Sequence, residues 1–117
     1  MLPAIQSSLS GIRAFGKKLD VHADNIANSG TDGFKKSRAV FSSKENAGVR
    51  VDIEKVATPG LLNPAAAGNS SAKKELSNVD LVEEVTETIP SAAGYKANLK
   101  IIQVEDEMLG ALLDTIG

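Results

Sequence analysis

Residues 2–34 read LPAIQSSLSGIRAFGKKLDVHADNIANSGTDGF, a helical pattern that runs into a turn rich in Asn and Gly. Apolar or small residues recur in it at alternating spacings of three and four, the period of a helix that presents one narrow apolar seam to another helix. We call this set the N-terminal seam; its members are Leu2, Ile5, Leu9, Ile12, Gly16, Leu19, Ala23 and Ile26. The stretch that follows is rich in Gly, Ser, Asn and charge, so the covering partner must lie elsewhere in the chain or outside it.

A second helical seam lies at the far end of the chain. We call it the C-terminal seam; its members are Leu81, Val85, Ala92, Tyr95, Leu99, Ile102, Leu109, Leu113 and Ile116. Residues 77–80, Ser-Asn-Val-Asp, predict the helix start, with the Ser or Asn side chain as the cap. Pro90 removes an amide donor and predicts a kink or a restart at residues 89–91. These are the two sustained apolar helical patterns of the chain, and we expect them to pair.

The middle of the chain predicts two short strands and a turn. Residues 39–41 form the first candidate, and residues 49–54 form a better one because apolar and charged side chains alternate strictly. The alternation would place Val49, Val51 and Ile53 on one face. Residues 58–60, Thr-Pro-Gly, predict a turn. Residues 62–74 are small or polar without periodicity, which is typical of a solvated linker.

The predicted fold is therefore mainly α. Long N- and C-terminal helices pair as a coiled-coil-like bundle, and a small β or irregular segment lies between them. We divide the chain into residues 1–34, 35–61, 62–76 and 77–117, in that order: seam helix and turn, β segment, linker, and second seam helix. Because only 3% of the residues are aromatic and Trp is absent, we expect a small core and marginal stability in isolation.

Composition excludes several classes of function. The net charge is −2, and the one basic cluster, Lys35, Lys36 and Arg38, is too short to neutralise a nucleic acid or an anionic membrane. The chain has no Cys and therefore no thiolate metal site or Cys nucleophile. No apolar stretch approaches the roughly 20 residues that span a bilayer. The first residues also lack the features of a cleaved secretory signal.

The sequence offers no convincing catalytic, cofactor-binding or metal site. His22 is the only His, and its neighbours Asp20 and Asp24 are two residues away, where helical side chains do not face each other. We therefore expect His22 to lie on a solvated polar face and His22→Ala to have little effect. A zinc site would need carboxylates from remote parts of the chain.

Specific residues at both ends resemble the flagellar rod and hook protein family. The N-terminal match is carried by Leu19, Ala23, Asn25-Ile26-Ala27-Asn28, Thr31 and Gly33-Phe34-Lys35. The C-terminal match is carried by Ser77-Asn78-Val79-Asp80-Leu81, Glu84, Ile89, Tyr95, Ala97-Asn98, Asp106, Met108-Leu109 and Leu112-Leu113. The chain departs from the family pattern at Asp32, where Pro is usual, at Pro90, and at Ala93-Gly94, where Arg-Ala is usual. A weaker match covers Gly48, Val49, Val51 and Pro59-Gly60-Leu61.

The resemblance implies a structural subunit of the bacterial flagellar basal-body rod, not an enzyme. Paired terminal helices of the family pack against those of neighbouring subunits to form the axial tube. The implied partners are copies of itself, other rod and hook subunits, and the flagellar export apparatus. Nucleic acid and membrane insertion are not expected. The implied location is the periplasm-spanning rod, reached by type III export without a cleaved signal peptide.

Two sets of residues follow as candidate sites. The predicted assembly interface comprises Leu2, Ile5, Leu9, Ile12, Leu19, Ile26, Leu81, Val85, Tyr95, Leu99, Ile102, Leu109 and Leu113. The family motif comprises Asn25, Ile26, Ala27, Asn28, Thr31, Gly33, Phe34, Ser77, Asn78, Val79, Asp80 and Asn98.

The strongest alternative is a soluble helical adaptor or export chaperone whose exposed seam binds a partner helix. Such a module predicts a well-folded monomer or a small closed oligomer. A rod subunit instead predicts frayed termini in the free chain and open-ended polymers after assembly.

Overall fold

The computed structural model describes residues 2–64 and 74–117, and two long helices dominate them. Helix α1 spans Leu2–Ala27 and helix α2 spans Leu81–Ile116. Between them lie strand β1, Ser37–Ser43, and strand β2, Val49–Lys55. The molecule measures 80 × 25 × 14 Å between Cα atoms. The mainly α fold with a small β segment is confirmed.

The two helices pack side by side in opposite directions. His22 near the end of α1 contacts Glu84 near the start of α2. Gly11, near the start of α1, lies against Asn98, which is well along α2. The predicted pairing of the terminal helices is therefore confirmed.

The strands form an antiparallel hairpin that lies along α1. Their register runs from Ser37 opposite Lys55 to Ser43 opposite Val49, and Ala47 and Gly48 adopt positive φ of 62° and 112° in the turn. At this end the Val49 N–H donates to Ser10 Oγ at 3.1 Å.

The rings of Phe15 and Phe41 meet edge to face, with 5.3 Å between their centroids, midway along the hairpin. Val49 and Val51 are half-buried as predicted, whereas Ile53, predicted on the same face, is 47% exposed.

The end of α1 differs from the prediction in its geometry. Because Asn and Gly tolerate left-handed backbone angles, residues 28–30 were expected to end the helix in that conformation, but Gly33, with φ of 72°, is the left-handed residue of this turn. Ser29 N–H donates to the carbonyl of Ile26, and Thr31 N–H donates to that of Asn28. Because these bonds close two successive tight turns, the chain reverses without a left-handed residue before Gly33.

The start of α2 also corrects the sequence analysis. Asp80, not Ser77 or Asn78, is the N-cap, and its carboxylate accepts from the N–H groups of Val82 and Glu83. The predicted restart near Pro90 is wrong, because α2 is one helix across that position. The proline ring is exposed there, and the helix loses one backbone hydrogen bond instead of breaking.

Backbone hydrogen bonds join the two ends of the predicted linker to each other. Leu62 and Glu75 form an isolated antiparallel bridge, and the Asn63 N–H donates to the Lys74 carbonyl. Next to this bridge, a Cβ on Gly60 would lie 2.0 Å from the Leu76 carbonyl oxygen, so this close approach requires glycine. The rest of the predicted linker, residues 65–73, lies outside the described residues.

Across residues 2–64 and 74–117, neither α1 nor α2 combines the length and the apolarity that crossing a bilayer demands.

Candidate assembly surface

The faces on which α1 and α2 meet are small and polar. In α1 the buried residues are Ser8, Gly11, Ala14, Val21, His22 and Asn25. In α2 they are Glu84, Ser91 and Glu105. Within the described part of the chain, Ala14 and Val21 are the only apolar side chains that are buried. Among the hydrophobic residues at positions 2–64 and 74–117, almost none is therefore fully buried within the single chain.

Polar side chains connect the two helices at this contact. His22 Nδ1 and Glu84 Oε2 are 2.6 Å apart, and both residues are buried, with 8% and 4% of their surface exposed. One turn away, Lys18 Nζ lies 3.3 Å from Glu87 Oε2. The helix pair is therefore held partly by charge and hydrogen bonding across a face with little apolar surface.

His22 does not lie on a solvated face, so that prediction was wrong. Sequence reasoning compared it with Asp20 and Asp24 on its own helix, whereas its partner Glu84 is 62 residues away. The available signal was spacing: Ser8, Gly11, Phe15, Lys18, His22 and Asn25 follow the same three-four period as the apolar seam, displaced by one residue.

The N-terminal seam lies beside this buried face instead of within it. Leu2 and Leu9 are 73% and 40% exposed. Ile5, Ile12, Leu19 and Ile26 are half-buried, and Ala23 is exposed. Gly16 lies close to the Tyr95 ring, because a Cβ built on it would be 3.7 Å from Tyr95 Cε2. Helix α2 therefore covers only part of the N-terminal seam of the same chain.

The C-terminal seam is more open still. Six of its members are exposed: Leu81, Val85, Leu99, Leu109, Leu113 and Ile116. Ala92, Tyr95 and Ile102 are half-buried. Asp106, which lies four residues after Ile102 on the same line, is exposed, whereas the neighbouring Glu105 is buried.

A third apolar line, which shares only Val85 with the C-terminal seam, runs along α2 and was not predicted as a line from the sequence. We call it the outer stripe; its members, all exposed, are Val82, Val85, Ile89, Ala93, Ala97, Ile101, Val104, Met108 and Leu112. It too follows spacings of three and four. Because apolar residues occur on several faces of α2, this helix has the pattern of one surrounded by other protein, not of one facing water.

Asn25 of the family motif fixes the hairpin to α1. Its side-chain amide donates to the Ser37 carbonyl at 2.8 Å, and its Oδ1 accepts from the Ser37 N–H at 2.9 Å. Asn25 is fully buried, so these two bonds satisfy a group that would otherwise be costly to bury. By binding both the N–H and the carbonyl of Ser37, the Asn25 side chain makes the hydrogen bonds that a neighbouring strand would make at the start of β1.

Asn28, Thr31, Gly33 and Phe34 shape the turn after α1. Asn28 donates to the Asp24 carbonyl at 2.9 Å and accepts from the Thr31 hydroxyl at 3.2 Å. The left-handed Gly33 directs its N–H to the Glu75 carbonyl at 2.7 Å. Phe34 is half-buried below the ammonium of Lys55, which lies 5.1 Å from the ring centre. Ile26 and Ala27, the remaining members, are half-buried and exposed at the end of α1.

Asn78 joins three segments at the opposite end of the motif. Its Oδ1 accepts from the Lys36 N–H at 2.6 Å, and its amide donates to the carbonyls of Val56 and Thr58 at 2.8 and 2.9 Å. Ser77 Oγ accepts from the Val79 N–H. Asn98 binds the Gly94 carbonyl within α2 and packs against Gly11. The motif residues thus mainly connect segments of the chain where it reverses direction and where the two helices cross.

The basic cluster is neutralised by carboxylates of this chain. Lys35 pairs with Glu75, Lys36 with Glu83 at 2.9 Å, and Arg38 with Glu54 at 3.2 Å. The hydrogen bond from Lys35 and that from the Gly60 N–H lower the pKa of Glu75 below its ordinary value of 4.5. This cluster therefore offers little free positive charge to a polyanion.

The described residues also bear on metal and catalytic sites. Across residues 2–64 and 74–117, no three His, Cys, Asp or Glu side chains are close enough together to hold a metal ion. The His22–Glu84 pair is enclosed between helices. Neither observation identifies a reaction centre.

Two family models match opposite ends of the chain. Residues 5–35 match "Flagella basal body rod protein", and residues 74–115 match "Flagellar basal body rod FlgEFG protein C-terminal". The first range contains α1 and its turn, and the second contains α2 and the segment that precedes it.

Individual relatives agree with the models. The chain is 35% identical over 79 residues to the flagellar basal-body rod protein FlgG of Bacillus subtilis, covering 68% of this chain but 30% of that protein. It is 31% identical over 117 residues to the rod protein FlgC of Salmonella typhimurium, covering 86% of each. FlgC of Buchnera aphidicola is 28% identical over 125 residues. The chain belongs to the flagellar basal-body rod protein family.

Proposed function

We propose that this chain is a rod subunit that polymerises laterally through the N-terminal seam, the C-terminal seam and the outer stripe. The carrying observation is the inverted distribution of side chains: polar groups fill the contact between α1 and α2, and apolar groups face outward. In the described part of the chain, Ala14 and Val21 are the buried apolar residues, whereas α2 alone exposes twelve large ones. Continuous exposed apolar surface of this kind marks a protein contact.

The placement of the seams favours an open assembly. They lie on different helices, so a contact between the N-terminal seam of one copy and α2 of another is heterologous and leaves a free surface on each copy. Repetition of such a contact produces a ring or an open helical polymer. The helices extend 26 and 36 residues, so side-by-side repetition along their length would build a wall of helices. We propose that this wall of helices closes around an axis and forms a tube.

The proposal includes other rod and hook subunits as partners and export by the flagellar type III apparatus without a cleaved signal. The small core supports the export step, because a chain with little buried apolar surface has little to lose on unfolding. By this account the subunit gains most of its hydrophobic stabilisation only after it reaches the growing rod.

Sedimentation and circular dichroism of the purified chain at increasing concentration test this function. A rod subunit is expected to form open-ended polymers whose mass rises continuously with concentration, with an increase in helical signal as the ends become ordered. An adaptor or export chaperone would instead reach a fixed small oligomer and would saturate with one partner helix. A monomer of unchanged mass and helicity at millimolar concentration would contradict the proposal.

A further inference from the structure

The outward backbone groups of the hairpin can be located from its register. In an antiparallel pair, residues whose N–H and carbonyl groups face the partner strand alternate with residues whose groups face outward. Counting from the Lys44 N–H, which donates to the Gly48 carbonyl across the hairpin, the odd-numbered residues of both strands face outward. The outward N–H of Val49 donates to Ser10 Oγ on α1, in agreement with this alternation.

Beyond Val49, the outer edge of β2 has no partner. Among the described residues, the outward N–H and carbonyl groups of Val51 and Ile53 bond to no atom of this chain. Strand β1 lies on the side of α2, because Ala39 lines a cleft together with Glu84. An unpaired strand edge is a template on which an extended segment of another protein adds as a further strand.

A groove of about 350 Å³ lies between this edge and α1, and we call it the basic groove. Its lining includes Arg13 and Lys17 from α1, Lys44 from the turn, and Arg50 from β2. Within residues 2–64 and 74–117, no carboxylate lines it, and Arg13, Lys17 and Lys44 form no ion pair. Arg50 is paired with Asp52 of its own strand at 3.2 Å. The basic groove therefore carries positive charge that this chain does not neutralise.

The charge changes sign farther along the same edge. Lys17 also lines a second groove, of about 240 Å³, in which Asp20 and Asp24 lie beside Ile53. A carboxylate would be attracted to the basic groove beside Val51 and repelled beside Ile53. The two grooves together therefore favour an occupant whose acidic side chains are confined to one end.

We propose that the β2 edge binds an extended segment of another protein as an added strand, with carboxylate side chains of that segment in the basic groove. The backbone of the segment pairs with the outward groups of Val51 and Ile53, and its carboxylates meet Arg13 and Lys17. A polyanion without a peptide backbone would satisfy the cations but not the strand edge. No residue of α2 or of the N-terminal seam lines either groove, so this binding does not require polymerisation.

Fluorescence polarisation of the chain below its polymerisation concentration tests the added strand. The probe is a fluorescent peptide of Thr residues with two Glu at alternate positions near one end, and the reference peptide has Lys at those positions. We expect saturable binding of the Glu peptide, at least tenfold tighter than that of the Lys peptide, and protection of the Val51 and Ile53 amides against hydrogen exchange. Equal binding of the two peptides, or saturable binding of neither, would overturn the proposal.

Two matched pairs of variants separate the strand edge from the charge. Ile53→Pro removes an outward N–H, which an edge strand tolerates, whereas Ile53→Val keeps it. Lys17→Glu reverses a charge in the basic groove, whereas Lys96→Glu reverses one at an exposed position of α2. We expect Ile53→Pro and Lys17→Glu each to weaken binding of the Glu peptide at least fivefold, and the two controls to leave it within twofold.

A polyanion provides the contrasting result. If polyphosphate displaces the Glu peptide, Lys17→Glu abolishes binding, and the Val51 and Ile53 amides gain no protection, the groove binds anions without an added strand and the proposal is wrong. The amide measurement uses the natural chain, so it decides this point even if Ile53→Pro disturbs the hairpin. Sedimentation tests the proposed function separately, and failure of peptide binding would leave that function standing.

Discussion

At the scale of single residues, the buried positions of this chain are occupied mainly by polar side chains that connect its helices and its hairpin. His22 meets Glu84 between the helices, and Asn25 meets both backbone groups of Ser37. Such groups lose water on burial, and the bonds to Glu84 and to Ser37 offset that loss, although His22 Nε2 is buried without a hydrogen-bond partner among the described residues. They select one arrangement of helices and hairpin without adding much apolar surface to the interior.

Replacing His22 by Ala should destabilise the free chain strongly. The substitution leaves the Glu84 carboxylate buried without its partner, and breaking a buried pair in this way costs about 3 kcal/mol or more. Urea unfolding followed by circular dichroism measures the loss. Asp20→Ala, an exposed position two residues earlier, is the control and should change the free energy of unfolding by less than about 0.5 kcal/mol. Equal stability of the two variants would show that the pair contributes nothing.

The Glu75 carboxylate should make the linker end sensitive to acid. Its pKa lies below 4.5 in the folded chain because Lys35 and the Gly60 N–H bind the charged form. A depressed pKa means that this stabilisation is complete above 4.5 and is lost as the pH falls through the lower folded value. The protection of the Gly60 and Gly33 amides against hydrogen exchange should therefore decrease as the pH falls through the depressed pKa of Glu75. Glu75→Gln should remove that pH dependence, and an unchanged profile in this variant would contradict the assignment.

At the scale of elements, the fit between α1 and α2 depends on small residues at the crossing. A Cβ on Gly94 would lie 2.4 Å from Phe15 Cζ, and a Cβ on Gly11 would lie 2.5 Å from Asn98 Oδ1. The Phe15 ring therefore occupies the space that Gly94 leaves open. This gives a physical reason for glycine at residue 94.

Gly94→Ala and Gly110→Ala form a matched pair on the same helix. Both exchange Gly for a better helix former, but Gly110 has no neighbouring atom within 4 Å of the added Cβ. We expect Gly110→Ala to stabilise the monomer by up to about 1 kcal/mol through helix propensity. We expect Gly94→Ala to destabilise it by about 1–3 kcal/mol, because the Phe15 ring must move. Thermal unfolding at a concentration below polymerisation measures both, and equal shifts of the same sign would refute the close packing.

The sequence predicted the elements of this chain better than their contacts. Periodicity located both helices and both strands, because it depends on local spacing alone. It could not identify the partner of His22 or the role of Asn78, because Glu84 and the segments around Asn78 meet their partners only after the chain folds. The capping role of Asp80 is local, but Ser77 and Asn78 offered equally suitable capping side chains. Because the two apolar seams were expected to pair with each other, the polar line beside the N-terminal seam was not predicted as the contact between the helices.

At the scale of the whole molecule, the α1–α2 pair has two different kinds of surface. The inner contact is small, polar and specific, and the outer surfaces are apolar and unsatisfied within one chain. The single chain holds its shape largely through hydrogen bonds and ion pairs and leaves its hydrophobic surface exposed. If the proposed function is right, contacts between copies contribute most of the free energy of the assembled state.

The most direct test of this division is the sedimentation of Leu9→Asp and Leu99→Asp beside the controls Gln6→Asp and Lys96→Asp. All four positions are exposed in the single chain, so each variant should retain the monomer's circular dichroism. We predict that the two seam variants remain monomeric at concentrations where the natural chain and both controls form pelletable polymers, because a charge would enter an apolar contact. Normal polymers from Leu9→Asp and Leu99→Asp would contradict the claim that the exposed seams form the assembly surface.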